Sequence, residues 1–124
     1  MARFLTINRN ASATVAQFRV VRLTADNTVA QSAAATDAHF GVCVQPGGAA
    51  TANPRCDVAV SGIVEAEYGG AVTRGDLLTS DSSGRVITAT AAVGANVRII
   101  GMALTTGVLA DVQEILISQG SFQG

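Results

Sequence analysis

Apolar residues along this chain fall in short β-forming runs, and the one stretch that could make a helical turn, Ser32–Ala38, has no amphipathic face. Leu77-Leu78-Thr79 and Val86-Ile87-Thr88 are two such runs, and the link between them, Ser80-Asp81-Ser82-Ser83-Gly84, has the polar, glycine-containing composition of a tight reversal. This predicts a β-hairpin. Arg19–Gln31 has the same form: Leu23-Thr24-Ala25-Asp26 answers Leu78-Thr79-Ser80-Asp81, and Thr28-Val29-Ala30 answers the return strand. The echo continues in order, with Phe40-Gly41-Val42-Cys43-Val44 against Ile100-Gly101-Met102-Ala103-Leu104. Asp57-Val58-Ala59-Val60 then matches Asp111-Val112-Gln113-Glu114 and the adjoining Ile115-Leu116-Ile117. Two copies are too few for a solenoid, which needs about three or more repeats to bury a continuous core. The pattern therefore predicts an all-β fold with little or no helix: a small β-barrel or a jelly-roll-like β-sandwich built from two related β-units.

One β domain is expected over residues 1–124, with 1–15 as an N-terminal arm or strand, 16–68 and 69–117 as the two units, and 118–124 as a polar tail. Tyr68-Gly69-Gly70 reads as the joint between them. Within Ala16–Thr24, Phe18 and Val20 share one face and Val21 and Leu23 then take over, so a bulge is expected between Val20 and Val21. Phe40–Gln45 reads as a strand. Arg55–Glu67 alternates well, with Cys56, Val58 and Val60 on one side and a kink at Gly62. The last strands are Val97–Leu104 and Val112–Ile117. Between Phe40–Gln45 and Arg55–Glu67 lies Pro46–Pro54, whose prolines and paired glycines exclude regular structure; it is an insertion relative to the second copy.

Composition narrows what such a body could do. The chain has 124 residues and 12.5 kDa, enough for a core without obligatory disulfides or metal. Aromatics are 4%, with no tryptophan, so Val, Ile and Leu must build the core. Charged residues are only 14%, against the roughly 25% usual in soluble domains, and much of such a surface is expected to be covered in an assembly. Net charge is −1 and all eight cations are arginine, spread from Arg3 to Arg98 without a run. That argues against a nucleic-acid or anionic-membrane surface, which needs clustered positive charge; arginine suits fixed pairs with carboxylates at protein contacts. The N-terminal residues carry no apolar signal region, and no apolar stretch approaches the roughly 18 residues of a membrane span. Assembly in a cytoplasm is the expectation. Cys43 and Cys56 are then reduced, buried hydrophobes, the alternative being a disulfide across the Pro46–Pro54 loop.

Few residues could carry chemistry. His39 is the single histidine; a nucleophile-activating base needs a third group to orient it, and Asp37 is too near in sequence on an extended segment. His39, Cys43 and Cys56 lack metal-ligand spacing, so neither metal nor cofactor is expected. Glu65 and Glu67 face the same way on a strand, the minimum for paired-carboxylate work, though more often such a pair is a solvated edge. A lipoyl or biotin carrier would need a lysine at a hairpin tip, and the chain has none. Arg74-Gly75-Asp76 spells an integrin-type tripeptide but simply opens the hairpin strand, and Asn10-Ala11-Ser12 is a glycosylation sequon with no secretory route.

The Gly62-Ile63-Val64 strand, Val72-Thr73-Arg74-Gly75-Asp76-Leu77-Leu78, the Asp81–Gly84 turn, Ile100-Gly101-Met102-Ala103-Leu104 and Val112–Ile117 together resemble the capsid cement or head-decoration proteins of tailed bacteriophages. The resemblance covers Gly62 to Ile117 directly and the first half through the repeat; the long Pro46–Pro54 loop departs from it. It implies a non-enzymatic virion protein, a homotrimer or homodimer, attached to the capsid exterior and bridging major capsid protein subunits. Candidate partner contacts are Arg3, Phe4 and Arg9 on the N-terminal segment, Pro46, Gly47, Gly48 and Pro54 on the inserted loop, and Phe122, an aromatic that would be wasted in solvent. The competing readings are a tail-fibre or carbohydrate-binding β-module, which would expose several Trp or Tyr where this chain has only Tyr68, and a small hydrolase dependent on His39.

Overall fold

The computed structural model describes residues 3–11, 15–26, 28–45, 55–90 and 96–123, and these contain strands, bends and turns but no helix. Nine strands run in chain order as β1 (Arg3–Ala11), β2 (Val20–Ala25), β3 (Thr28–Gln31), β4 (His39–Gln45), β5 (Arg55–Glu67), β6 (Leu77–Ser80), β7 (Val86–Thr88), β8 (Asn96–Ala103) and β9 (Val112–Gln123). They form one sheet in the order β1-β3-β2-β4-β5-β9-β8-β6-β7, with a further pairing of β1 to β5. That order is a near-palindrome. β3-β2-β4-β5 on one side answers β7-β6-β8-β9 on the other, and the halves meet at the antiparallel β5–β9 pair.

The β1–β5 pairing closes the first five strands into a ring, β1-β3-β2-β4-β5 and back to β1. A closed ring leaves no unpaired edge. The second half closes in the same way through a single parallel bridge, Tyr68 to Val86, which corresponds to the parallel β1–β3 contact at Ala11 and Val29. Register shows how close the correspondence is. Val21 pairs with Gln31 and Leu78 with Thr88, so residues of the first hairpin recur 57 positions later (21 to 78, 31 to 88). The β1–β5 pairs Ile7–Val58 and Asn10–Arg55 recur at the same spacing as the β5–β9 pairs Val64–Ile115 and Glu67–Val112. β5 therefore serves twice: its first half ends unit 1, and its second half begins unit 2.

The hydrophobic interiors repeat as well. Ala11, Val15, Val21, Val29, Cys43 and Val58 cluster inside unit 1. Their counterparts Tyr68, Val72, Leu78, Val86, Ala103 and Ile115 belong to the cluster that fills unit 2. β4 and β8 correspond at a spacing of 60, because Val21 pairs with Gly41 and its counterpart Leu78 pairs with Gly101. Both glycines are required by crowding: a Cβ at Gly41 would run into the Ala59 carbonyl oxygen, and one at Gly101 into that of Leu116.

The duplicated all-β organisation expected from sequence is present, with adjustments. The hairpin match was displaced by two residues (Leu23 to Leu78 against the observed Val21 to Leu78), a slip that preserves which face points inward. The β5–β9 match was displaced by three. The expected strand from Ala16 begins only at Val20, because Phe18 takes a left-handed φ of 68° in a turn. The irregularity expected between Val20 and Val21 falls one residue later, in the β2–β4 register. Residues 3–11 are a paired strand and not a free arm, and the expected polar tail is the end of β9, whose residues to Gln123 pair with β8. The junction of the repeats lies inside β5, where Gly62 has a φ of 97°, whereas Tyr68 is buried in the unit 2 core. Pro46–Pro54 lies outside the described residues.

Candidate functional site: an outward apolar row and the seam between units

Leu77 of β6 pairs with Met102 of β8, Met102 with Leu116 of β9, Leu116 with Ile63 of β5, and Ile63 with Arg3 of β1. Directly opposed residues project from the same face of a sheet, so Leu77, Met102, Leu116 and Ile63 form one row across four strands. The rows on either side, Leu78-Gly101-Ile117 and Ala103-Ile115-Val64, are buried, which makes this row the outward one. Leu77 is 47% exposed and Leu116 37%. Leu104, two residues beyond Met102, and Leu5, two beyond Arg3, extend the apolar surface. Glu65 and Glu114 pair on its one flank, and Ser61 and Ser118 lie on the other.

The seam between the units is polar at its rim. The Glu67 carboxylate lies 3.4 Å from the Arg19 guanidinium and 2.6 Å from Arg85 Nε, so one acid holds an arginine from each unit. Arg19 Nη1 and Gln31 Nε2 both donate to the Ser83 carbonyl, each at 2.7 Å, fixing the β6–β7 turn against unit 1. Glu65 and Glu67, read from sequence as a same-facing pair, thus part company in role: Glu67 belongs to the seam. Asp residues cap the turns. Asp81 Oδ1 accepts from the backbone N–H of Ser83 and Arg85, and Asp76 Oδ2 from Thr73 N–H and the Thr88 hydroxyl, so the Arg74-Gly75-Asp76 tripeptide is committed to a turn.

His39 sits in the same seam, above a cleft of about 550 Å³ lined also by Asn96, Arg98, Ile99, Gln119 and Gly120. Its Nδ1 is 3.0 Å from the Ser32 hydroxyl and its Nε2 3.3 Å from the Thr79 hydroxyl, both buried side chains. Burial lowers the imidazole pKa from the ordinary 6.5, opposed by the nearby Asp37 carboxylate. Neither ring nitrogen meets a carboxylate, and the Ser32 hydroxyl is closed to substrate, so the geometry is that of a structural hydrogen-bond network. Cys43 and Cys56 are buried inside unit 1 and are not joined in a disulfide, and the hydrogen bond from Cys43 lowers the Cys56 pKa. Burial chiefly, with Asp111 and Asp76, raises that of Tyr68, whose hydroxyl donates to the Thr105 carbonyl at 2.5 Å. Being fully buried, Tyr68 offers no ring for stacking on a sugar. Among the described residues no group of three or more His, Cys, Asp or Glu could hold a metal ion.

The residues singled out from sequence as partner contacts are not gathered in one place. Arg3 begins β1, its backbone opposite Ile63 of β5. Phe4 is half-buried and packs against the unit 2 cluster, helping to anchor β1. Arg9 lies on β1 with its guanidinium 6.0 Å from the Phe40 ring centroid and its Nη1 donating to the Asn8 carbonyl. Phe122 lies in β9, its backbone paired with Val97. Pro46, Gly47, Gly48 and Pro54 fall outside the described residues. Leu77, Met102 and Leu116 were missed. The available signal was that Leu77-Leu78 and Ile115-Leu116-Ile117 are apolar on both faces, whereas a strand with one wet face alternates.

The described residues thus form an all-β scaffold with an apolar outward row and a histidine held in a buried hydrogen-bond network. Residues 3–119 match the family described as phage cement protein, and the chain belongs to that family. No curated protein matches it. Among solved structures, the N base of head fiber gp8.5 in bacteriophage phi29 shares the fold with a TM-score of 0.65 and 16% identity, covering 93% of this chain and 94% of that one. The protein is thus a capsid-associated structural component of the phage virion.

Proposed function

We propose that this protein is a cement that binds the outer surface of the phage head, as a homotrimer or homodimer, and bridges neighbouring major capsid protein subunits after the shell has expanded in the host cytoplasm. Membership of the phage cement family over residues 3–119 carries the reading. The structure is compatible with it in physical terms. A twice-closed β-body leaves few free edges, so contact falls to side-chain faces such as the outward apolar row. Many modest contacts repeated over a lattice add up through avidity. Because binding favours only the expanded state, it stabilises that state by linkage against the pressure of the packed genome. Co-sedimentation with empty shells tests this: the protein should pellet with expanded shells and stay in the supernatant with unexpanded ones. Equal recovery in the two supernatants would remove the reading.

A further inference from the structure

The cleft beside His39 is walled by the far end of the β8–β9 ribbon, where Arg98 pairs with Ser121 and Ile99 with Gly120. The Arg98 N–H donates to the Ala35 carbonyl at 2.9 Å, which ties the ribbon to the segment before β4. Two features of the lining serve no contact inside the chain. At Gly120 an added Cβ would meet no atom within 4 Å, so this glycine borders open space, whereas Gly41 and Gly101 are forced by close backbone. The Arg98 guanidinium is the second. Arg19 and Arg85 share Glu67, Arg22 lies 3.5 Å from Asp37, and Arg9 donates to a carbonyl. Among the described residues the Arg98 guanidinium has no acceptor, although it lines a cleft; Arg74 lacks one too, on an exposed turn.

We propose that this cleft is a carboxylate-binding site, in which Arg98 holds the side chain of an aspartate or glutamate on a partner protein. It rests on the function proposed above only in taking the shell as that partner. Among the described lining residues Arg98 carries the one full charge, and none is an acid. Asp37, whose charge reaches His39, is already held by Arg22 and by the N–H groups of Ala33 and Ala34. One guanidinium balances one carboxylate and meets both its oxygens with a planar fork; a phosphate group would bring about two charges to a single cation. Asn96, two residues before Arg98 on β8, projects from the same side and has amide protons to add. Gln119 spends its amide on the Phe40 and Val60 carbonyls, which fixes the opposite wall. The apolar lining amounts to Ile99, too little to hold a free organic acid, so the carboxylate suits one delivered on a chain and repeated over a lattice. His39 reports occupancy. Burial chiefly lowers its pKa, Asp37 opposes this, and the Arg98 charge adds to the lowering. A carboxylate on Arg98 cancels that last effect and raises the pKa.

The test is an NMR pH titration of the His39 ring, the one histidine of the full chain, with N-acetyl-glutamate N-methylamide at constant ionic strength. The matching glutamine compound and inorganic phosphate are the controls. The glutamate compound should raise the His39 pKa saturably, by about 0.3 or more, and the glutamine compound should not. Arg98→Gln should raise the ligand-free pKa and abolish the response. Gly120→Val, whose side chain enters open space, should abolish the response while leaving the ligand-free pKa nearly unchanged. No response in the wild type, or one that survives both substitutions, overturns the proposal, as does a response to phosphate without one to the glutamate compound. With expanded shells, Arg98→Gln should bind about tenfold more weakly than the wild type. Equal binding overturns the shell as the source of the carboxylate and leaves the cement reading intact. A wild type that answers the glutamate compound but pellets with no shell removes the cement reading and upholds the carboxylate site.

Discussion

Val42 and Met102 stand at the same place in two copies of one β-unit, each between a partner from the hairpin and a partner from the last strand, yet one is sealed in the core and the other lies on an outward face. The difference does not come from residue type, since both are apolar, or from local geometry, since the registers agree. Its origin is the way the two units pack. Unit 2 lies over this face of unit 1, while the second half of β9 pairs with β8. The packing of the two copies thus buries one face between them and presents its twin outward.

The sharpest way to break this comparison is to place the same charge at both positions. Val42→Asp buries an unpaired carboxylate and should cost about 4 kcal/mol or more, enough to abolish folding of a marginal domain. Met102→Asp, at a half-buried outward position, should cost clearly less, about 1 kcal/mol. Urea titration of the two variants checks this, and equal losses would mean that the two faces are equally covered. A smaller effect sharpens the equivalence. Gly41→Ala and Gly101→Ala each force a methyl against a backbone carbonyl that cannot swing away, so each should lose about 2 kcal/mol, and by similar amounts. A loss at one and not the other would separate the units energetically.

Much of this organisation was legible in the sequence because the repeat reads through the strands themselves. Phe40-Gly41-Val42 and Ile100-Gly101-Met102 match at the observed spacing since each glycine is required by the same backbone approach, and sterics of that kind are written in residue identity. The hairpin match slipped by two residues because a period of two is indifferent to such a slip. Which apolar face stays open was not legible. Val20-Val21 and Leu77-Leu78 are equivalent pairs with both faces apolar; in the first both residues are buried, and in the second only Leu78 is. That outcome depends on how the two units pack, which lies in topology and not in the local pattern. The single tyrosine and the single histidine were legible as residue types, and the structure places both in buried positions that the sequence did not reveal.

The seam joining the two units supplies a milder test. Glu67→Gln leaves Arg19 and Arg85 without their shared carboxylate, and at this partly exposed rim the expected loss is about 1 kcal/mol, shrinking in high salt. A loss independent of salt would point to packing in place of charge. The smallest effect concerns pH. Because burial holds the His39 pKa below 6.5, the unfolded chain takes up the proton first as pH falls. Its contribution is therefore complete above pH 6.5 and is lost progressively below that, towards the lower folded-state pKa. Denaturation midpoints measured across this range should decline less in His39→Gln than in the wild type; parallel declines would assign the acid sensitivity to other groups.

If the work of this two-unit β-body is to be held against a phage shell, the shell itself should register it. The most direct test is the heat stability of empty expanded shells, tracked by light scattering with and without saturating protein. The shells should come apart at a higher temperature when the protein is bound, and the increment should grow with its free concentration as mass action requires. Shells that melt at one temperature regardless of how much protein is present would contradict that role.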